Sequence, residues 1–124
     1  MDHGLRLDVE TMDAMHAEFL ELLERIRGCD AGSFMPLFSE IIAHTQEHFA
    51  TEEALMEAQG YYGLQEHRGE HENLLNEMRY FYEKAKRIPA FGRSYINDYA
   101  FEKFRRHIIN IDSQLAMFLK EAKH

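Results

Sequence analysis

Histidines and carboxylates in this chain are spaced by helical turns. His48 and Glu52 stand four residues apart, and so do His67 and His71. Four residues make about one turn of an α-helix, so each pair leaves the same face. His107 and Asp112 follow as a third pair, five residues apart, and His16 stands alone on a helical pattern. An imidazole beside a carboxylate can hold a transition metal, and imidazole suits iron, copper, zinc and nickel.

The residues between these groups supply the frame. Residues 1–11 lack periodicity and are expected to form an N-terminal arm. From Met12, the apolar residues Met15, Phe19, Leu22, Leu23 and Ile26 follow at steps of one, three and four, which predicts an amphipathic helix ending near Gly28. Ser33 is the expected N-cap of a second helix, with Pro36 in its first turn. That helix continues through Leu37, Ile41, Ile42, Phe49, Leu55 and Met56 to about Ala58 and stops at Gly60. A third helix is expected from about Leu64 to Arg87. Ile88-Pro89-Ala90-Phe91-Gly92 breaks the pattern. A fourth is expected from Arg93 or Ser94 to Glu121, with Ile96, Tyr99, Phe104, His107, Ile108, Ile111, Leu115 and Phe118 facing inward. Four helices with short connections predict an all-α, up-down-up-down antiparallel four-helix bundle over residues 12–121, within a single domain of residues 1–124.

Composition narrows the function. The formal charge of −8 disfavours nucleic acid and anionic membranes as partners and attracts cations. Cys29 is the one cysteine, so no internal disulfide can form. The N-terminus lacks the apolar run of a signal peptide, and no apolar stretch has the length of a membrane span. The expectation is a soluble cytoplasmic protein, with a monomer favoured.

A single histidine on an apolar helix face is more often a hydrogen-bonded core residue than a ligand. Here His16, His48, Glu52, His67, His71, His107 and Asp112 are distributed over all four helices in bundle order. Burying that many polar groups unpaired would cost several kcal/mol. Five imidazoles and two carboxylates exceed the needs of one ion and suit two. A carboxylate can bridge two metals through its two oxygens, whereas a neutral imidazole normally binds one. Glu52 and Asp112 are the economical bridges, with the histidines divided three and two.

Several stretches carry a family likeness: Met12-Asp13-Ala14-Met15-His16, His48-Phe49-Ala50-Thr51-Glu52-Glu53, Gly60-Tyr61, His67-Arg68-Gly69-Glu70-His71, and His107-Ile108 with Asp112. Over about residues 9–120 the chain resembles the hemerythrins, specifically the bacterial hemerythrin-like single domains. The resemblance implies a non-haem di-iron centre, oxo- or hydroxo-bridged, that binds O₂ reversibly. It implies that His67, His71 and His107 hold one iron and His16 and His48 the other, with Glu52 and Asp112 bridging. O₂, or NO or a small anion such as azide, would take the open position on the His16/His48 side.

Lys103-Phe104 stands where many members of that family carry Trp-Leu, so Phe104 is expected beside the O₂ pocket. His44 replaces a tyrosine one turn before His48, and a place behind the ligands or in the pocket is the favoured reading. Glu53 is expected to be a surface glutamate, with a hydrogen-bond acceptor behind a ligand as the alternative, and the methionines Met12, Met15, Met56 and Met78 are expected to be core. The leading function is O₂ carriage, storage or sensing without catalysis, so no catalytic residue is assigned. The alternatives are a di-iron oxidase or peroxide-reducing enzyme, or an iron- or nitric-oxide-handling protein with the same site. The only Glu-x-x-His, Glu121 to His124, lies at the C-terminus and weighs against the carboxylate-rich oxidases.

Overall fold

The computed structural model describes residues 7–122, and among these the regular structure is helical throughout. Residues 1–6 of the expected arm, with His3 and His124, lie outside the described residues. Helix α1 is Glu10–Arg27, α2 is Ala31–Gln59, α3 is Leu64–Arg87, and α4 is a continuous helical run over 89–122. No helix among the described residues is long and apolar enough to cross a membrane.

The apolar stripe of α1 is buried as its spacing predicts, from Met12 through Ile26. The helix starts two residues before Met12, and the Asp13 carboxylate accepts a 2.8 Å hydrogen bond from the Leu7 N–H. Helix α2 also starts earlier than expected. Its N-cap is Asp30, whose carboxylate accepts from the Ser33 N–H at 2.9 Å, so Ser33 lies inside the first turn. Pro36 therefore falls within the helix, on its exposed side. The hydrogen bond it cannot donate is lost where water can replace it. Gly60 ends α2 at φ 65°, a left-handed conformation that a side chain would strain.

Helix α4 departs most from expectation. It begins at Pro89, because a proline at the first helical position gives up no needed N–H. It then contains two π-helical turns, Tyr95–Ala100 and Ile108–Asp112, on either side of the α-helical stretch Phe101–His107. Each wide turn shifts the helix phase. Tyr95 is consequently buried and Tyr99, expected inside, is 54% exposed.

Consecutive helices pack on one another, and the first π turn of α4 packs against α1. The core falls into two apolar clusters. The larger gathers Phe19, Leu23 and Ile26 of α1, Phe34, Phe38 and Ile41 of α2, Met78 of α3, and Tyr95 and Ile96 of α4. The smaller gathers Met12, Met56, Tyr61, Leu115, Ala116 and Leu119. All four methionines named above are buried, as expected. Among the described residues, the buried polar ones are His16, Thr45, His48, Glu52, His67, His71, His107 and Asp112, all but Thr45 being expected ligands.

The turn between α3 and α4 is held by close contact. A Cβ on Gly92 would stand 2.6 Å from the Ala85 Cβ and 2.9 Å from the Phe34 ring. Arg93 lies over Phe34, 4.4 Å from its centroid, and donates to the carbonyls of Cys29 at 3.0 Å and Ile26 at 3.4 Å. It thereby ties the start of α4 to the end of α1. Gly92→Ala is expected to destabilise the protein by about 1–3 kcal/mol, the usual range for overpacking. Urea unfolding would measure this, and an unchanged midpoint would mean that α4 shifts freely at its start.

Candidate metal centre

Each helix delivers its polar groups by local geometry. His48 and Glu52 lie one turn apart on α2, and His67 and His71 one turn apart on α3. His107 and Asp112 are five residues apart, about 500° of rotation on a regular α-helix, so they would diverge by about 140°. The π turn Ile108–Asp112 absorbs the extra residue and brings both side chains to one point.

The two carboxylates divide their oxygens between two groups of imidazoles. Glu52 Oε1 lies 3.2 Å from His67 Nε2 and 3.0 Å from His71 Nε2. Asp112 Oδ1 lies 3.0 Å from both His67 Nε2 and His107 Nε2. The other two oxygens face His16, whose Nε2 is 2.9 Å from Asp112 Oδ2 and 4.0 Å from Glu52 Oε2. Atoms of Glu52, His67, His71, His107 and Asp112 that could bind one ion all lie within 4.8 Å of one another. His48 is buried one turn before Glu52, with its ring against His44.

A hydrogen-bonded network leaves this centre incomplete. Nε2 of His48, His67 and His107, and Oδ1 of Asp112, are buried without a hydrogen-bond partner in the protein. Those of His67 and His107 approach a carboxylate oxygen but lie off the direction that a hydrogen bond requires. Lone pairs converging in this way, in a buried set of nitrogen and oxygen donors, fit metal ions better than they fit one another.

The surroundings hold these side chains in place. Phe49 stacks on His71 at 3.7 Å and lies 5.8 Å from His107. On the other side, Phe104 meets the His16 ring edge-on at 5.7 Å and stacks on Phe19 at 4.0 Å. Phe104 thus stands beside His16. Glu53, expected at the surface, instead reaches inward. Its Oε2 accepts from His71 Nδ1 at 2.9 Å and its Oε1 accepts from Arg68 Nε at 3.2 Å. The signal for this lay in the spacing of Arg68 and His71, which put both on the α3 face nearest Glu53. His44 is half-buried between His48 and the exposed Glu18, with its Nε2 3.4 Å from Glu18 Oε2.

The electrostatics follow from burial and neighbours. Burial opposes ionisation of Asp112, but His107, His16 and His67 outweigh it and hold the carboxyl well below its usual range. Burial and Asp112 likewise oppose ionisation of Glu52, and His67 and His71 still lower its pKa. Burial disfavours charge on His67, yet Asp112 and Glu52 raise its pKa to about 9. On His48, burial and then His44 outweigh the pull of Glu52 and lower its pKa to about 4.

Residues 7–119 match the family described as "Hemerythrin HHE cation binding domain". The chain belongs to the hemerythrin family. It is 33% identical to a bacteriohemerythrin of Ralstonia nicotianae over 119 residues, covering 95% of this chain and 86% of that protein. No solved structure matches the chain. The hemerythrin match and the buried His/Glu/Asp cluster together mark a metal-binding site suited to iron.

Two outcomes are expected of this centre. Glu53→Ala frees the His71 ring and is expected to weaken metal affinity about 10–100-fold, the usual effect of removing a partner behind a ligand. Competition against a chelator would measure it, and unchanged affinity would make the Glu53 contact incidental. The second concerns the metal-free protein. The raised pKa of His67 stabilises the fold below about 6.5, and that contribution is lost as pH rises towards about 9. The lowered pKa of His48 destabilises the fold as pH falls from 6.5 to about 4. Urea midpoints of the chelator-treated protein should therefore decline on both sides of pH 6.5. A flat limb from 6.5 to 9 would show that His67 carries no proton there.

Proposed function

We propose that this hemerythrin-family protein is a non-haem di-iron protein that binds O₂ reversibly, as a carrier, a store or a sensing module, and is not an enzyme. His67, His71 and His107 would hold one iron and His16 and His48 the other, with Glu52 and Asp112 bridging. The observation that carries this reading is the split of the carboxylate oxygens. Oε1 and Oδ1 face the three-histidine group and Oε2 and Oδ2 face His16. A set built for one ion would have no use for that arrangement. The relative's name, bacteriohemerythrin, points the same way. We also read the four helices as running up-down-up-down, since consecutive packed helices are joined by connections of one to four residues.

Iron held there would supply redox-active centres able to bind a diatomic molecule or a small anion. The protein's part is to limit what else happens there. Three histidines complete one side, whereas His16 and His48 leave the other with fewer nitrogen donors. Phe104 and Phe19 close apolar surface over His16, which disfavours water and charged species at that side. Glu53 and the Phe49 ring fix His71 in both tilt and tautomer. A set rich in neutral imidazole and poor in carboxylate favours reversible binding over oxidation.

The purified protein is expected to contain two irons per chain, and its absorbance should change reversibly when the reduced form is cycled between air and argon. Its melting temperature should fall when the metal is removed, because binding to the folded state alone stabilises it. One iron per chain would overturn the di-iron assignment. Irreversible bleaching on first exposure to air would overturn the carrier reading in favour of oxidase chemistry or the handling of another ligand such as NO.

A further inference from the structure

Beside the centre, and sharing His48 with it, a second group of possible ligand atoms comes together. Donor atoms of Glu18, His44 and His48 lie within 4.8 Å of one another. The His44 and His48 rings meet at 4.0 Å and 62°, one turn apart on α2. His44 Nε2 lies 3.4 Å from Glu18 Oε2, across the α1–α2 contact. Nε2 of His44 and of His48 are both buried atoms without a hydrogen-bond partner in the protein, and His48 itself is only 8% exposed. Two imidazoles and one carboxylate form a donor set that Fe(II) favours.

These residues also form a graded path. Glu18 is exposed, His44 half-buried and His48 buried. His48 has two ring nitrogens and belongs to both groups: it neighbours His44 outward and the centre inward. We propose that Glu18, His44 and His48 form a loading site that captures Fe(II) at the bundle surface and passes it inward through His48. The inference rests on the di-iron reading above.

The physical need for such a site is desolvation. A divalent ion that sheds its water in one step to enter a buried site pays a large penalty. Exchange of water for Glu18 and then His44 divides that penalty into smaller steps. The formal charge of −8 draws cations to the surface without selecting a route, and Glu18 with His44 supplies one. Three donors hold the ion less firmly than the interior set with its shared carboxylates, so the equilibrium runs inward. No electron or proton need move in this transfer.

Anaerobic uptake of Fe(II) by the metal-free full chain tests the proposal, with samples quenched at intervals by a colorimetric ferrous chelator. Glu18→Gln and His44→Leu should each slow uptake several-fold while reaching the iron content of the unaltered protein. Glu18→Asp should restore part of the rate. Uptake by both variants at the original rate overturns the loading site. A lowered final iron content also overturns it, because the residue would then belong to the interior set. If His44→Leu loses helicity by circular dichroism, Glu18→Gln, at an exposed position, decides alone. Failure of the unaltered protein to take up two irons would refute the di-iron reading, whereas the ratio of variant to original rates still judges the loading site.

Discussion

Two buried carboxylates, Glu52 and Asp112, organise this molecule. Each raises the cost of ionising the other, and burial raises it further. A bundle core would reject such a pair unless positive charge stood close on every side. The chain answers with an imidazole from each of α1 and α4 and two from α3, and each of the four lies within 3.2 Å of a carboxylate oxygen. Without metal, the proton that His67 holds well into the alkaline range supplies part of the missing charge. Bound metal would supply that charge instead. The same side chains thus stabilise the fold in either condition, but only metal also satisfies the nitrogens that approach off-axis.

Much of this was legible in the sequence because helical periodicity and ligand spacing obey the same rule. His48 with Glu52, and His67 with His71, follow a four-residue step, and so does the apolar stripe that buries them. That step singled out these two pairs, and the structure gathers them with His16, His107 and Asp112: six of the seven side chains are in direct contact, with His48 beside them. The boundaries were less legible where two residues competed for one role. Asp30 and Ser33 can both cap a helix, and only the fold shows that the Asp30 carboxylate takes the Ser33 N–H.

The failures share a physical cause as well. The expected α-helical phase of α4 places Tyr99 inside, but in the first π turn Tyr95 is buried and Tyr99 faces out. No local propensity announces a π turn. The five-residue step from His107 to Asp112 was the available hint, since only a wide turn lets both reach one point. The surface reading of Glu53 was favoured over the acceptor reading because adjacency to Glu52 implies a different helix face, and that face points at α3 rather than at solvent. Long-range packing decides such cases, and sequence spacing within one helix does not contain it.

The polar layer also partitions the core, with consequences for motion. The large cluster lies to one side of it, built from long stretches of α1, α2, α3 and the first half of α4. The small cluster lies to the other and unites the first turns of α1, the last of α2, Tyr61 and the end of α4. Few apolar contacts bind that smaller end, and its link to the rest of the bundle passes through the ligand layer. Opening should therefore begin there when the layer is weakened, as a partial unfolding rather than a global one. Backbone amides near Met56 and Leu115 would then exchange with deuterium much sooner than those near Phe38 and Ile96, and the gap would narrow once the centre is filled.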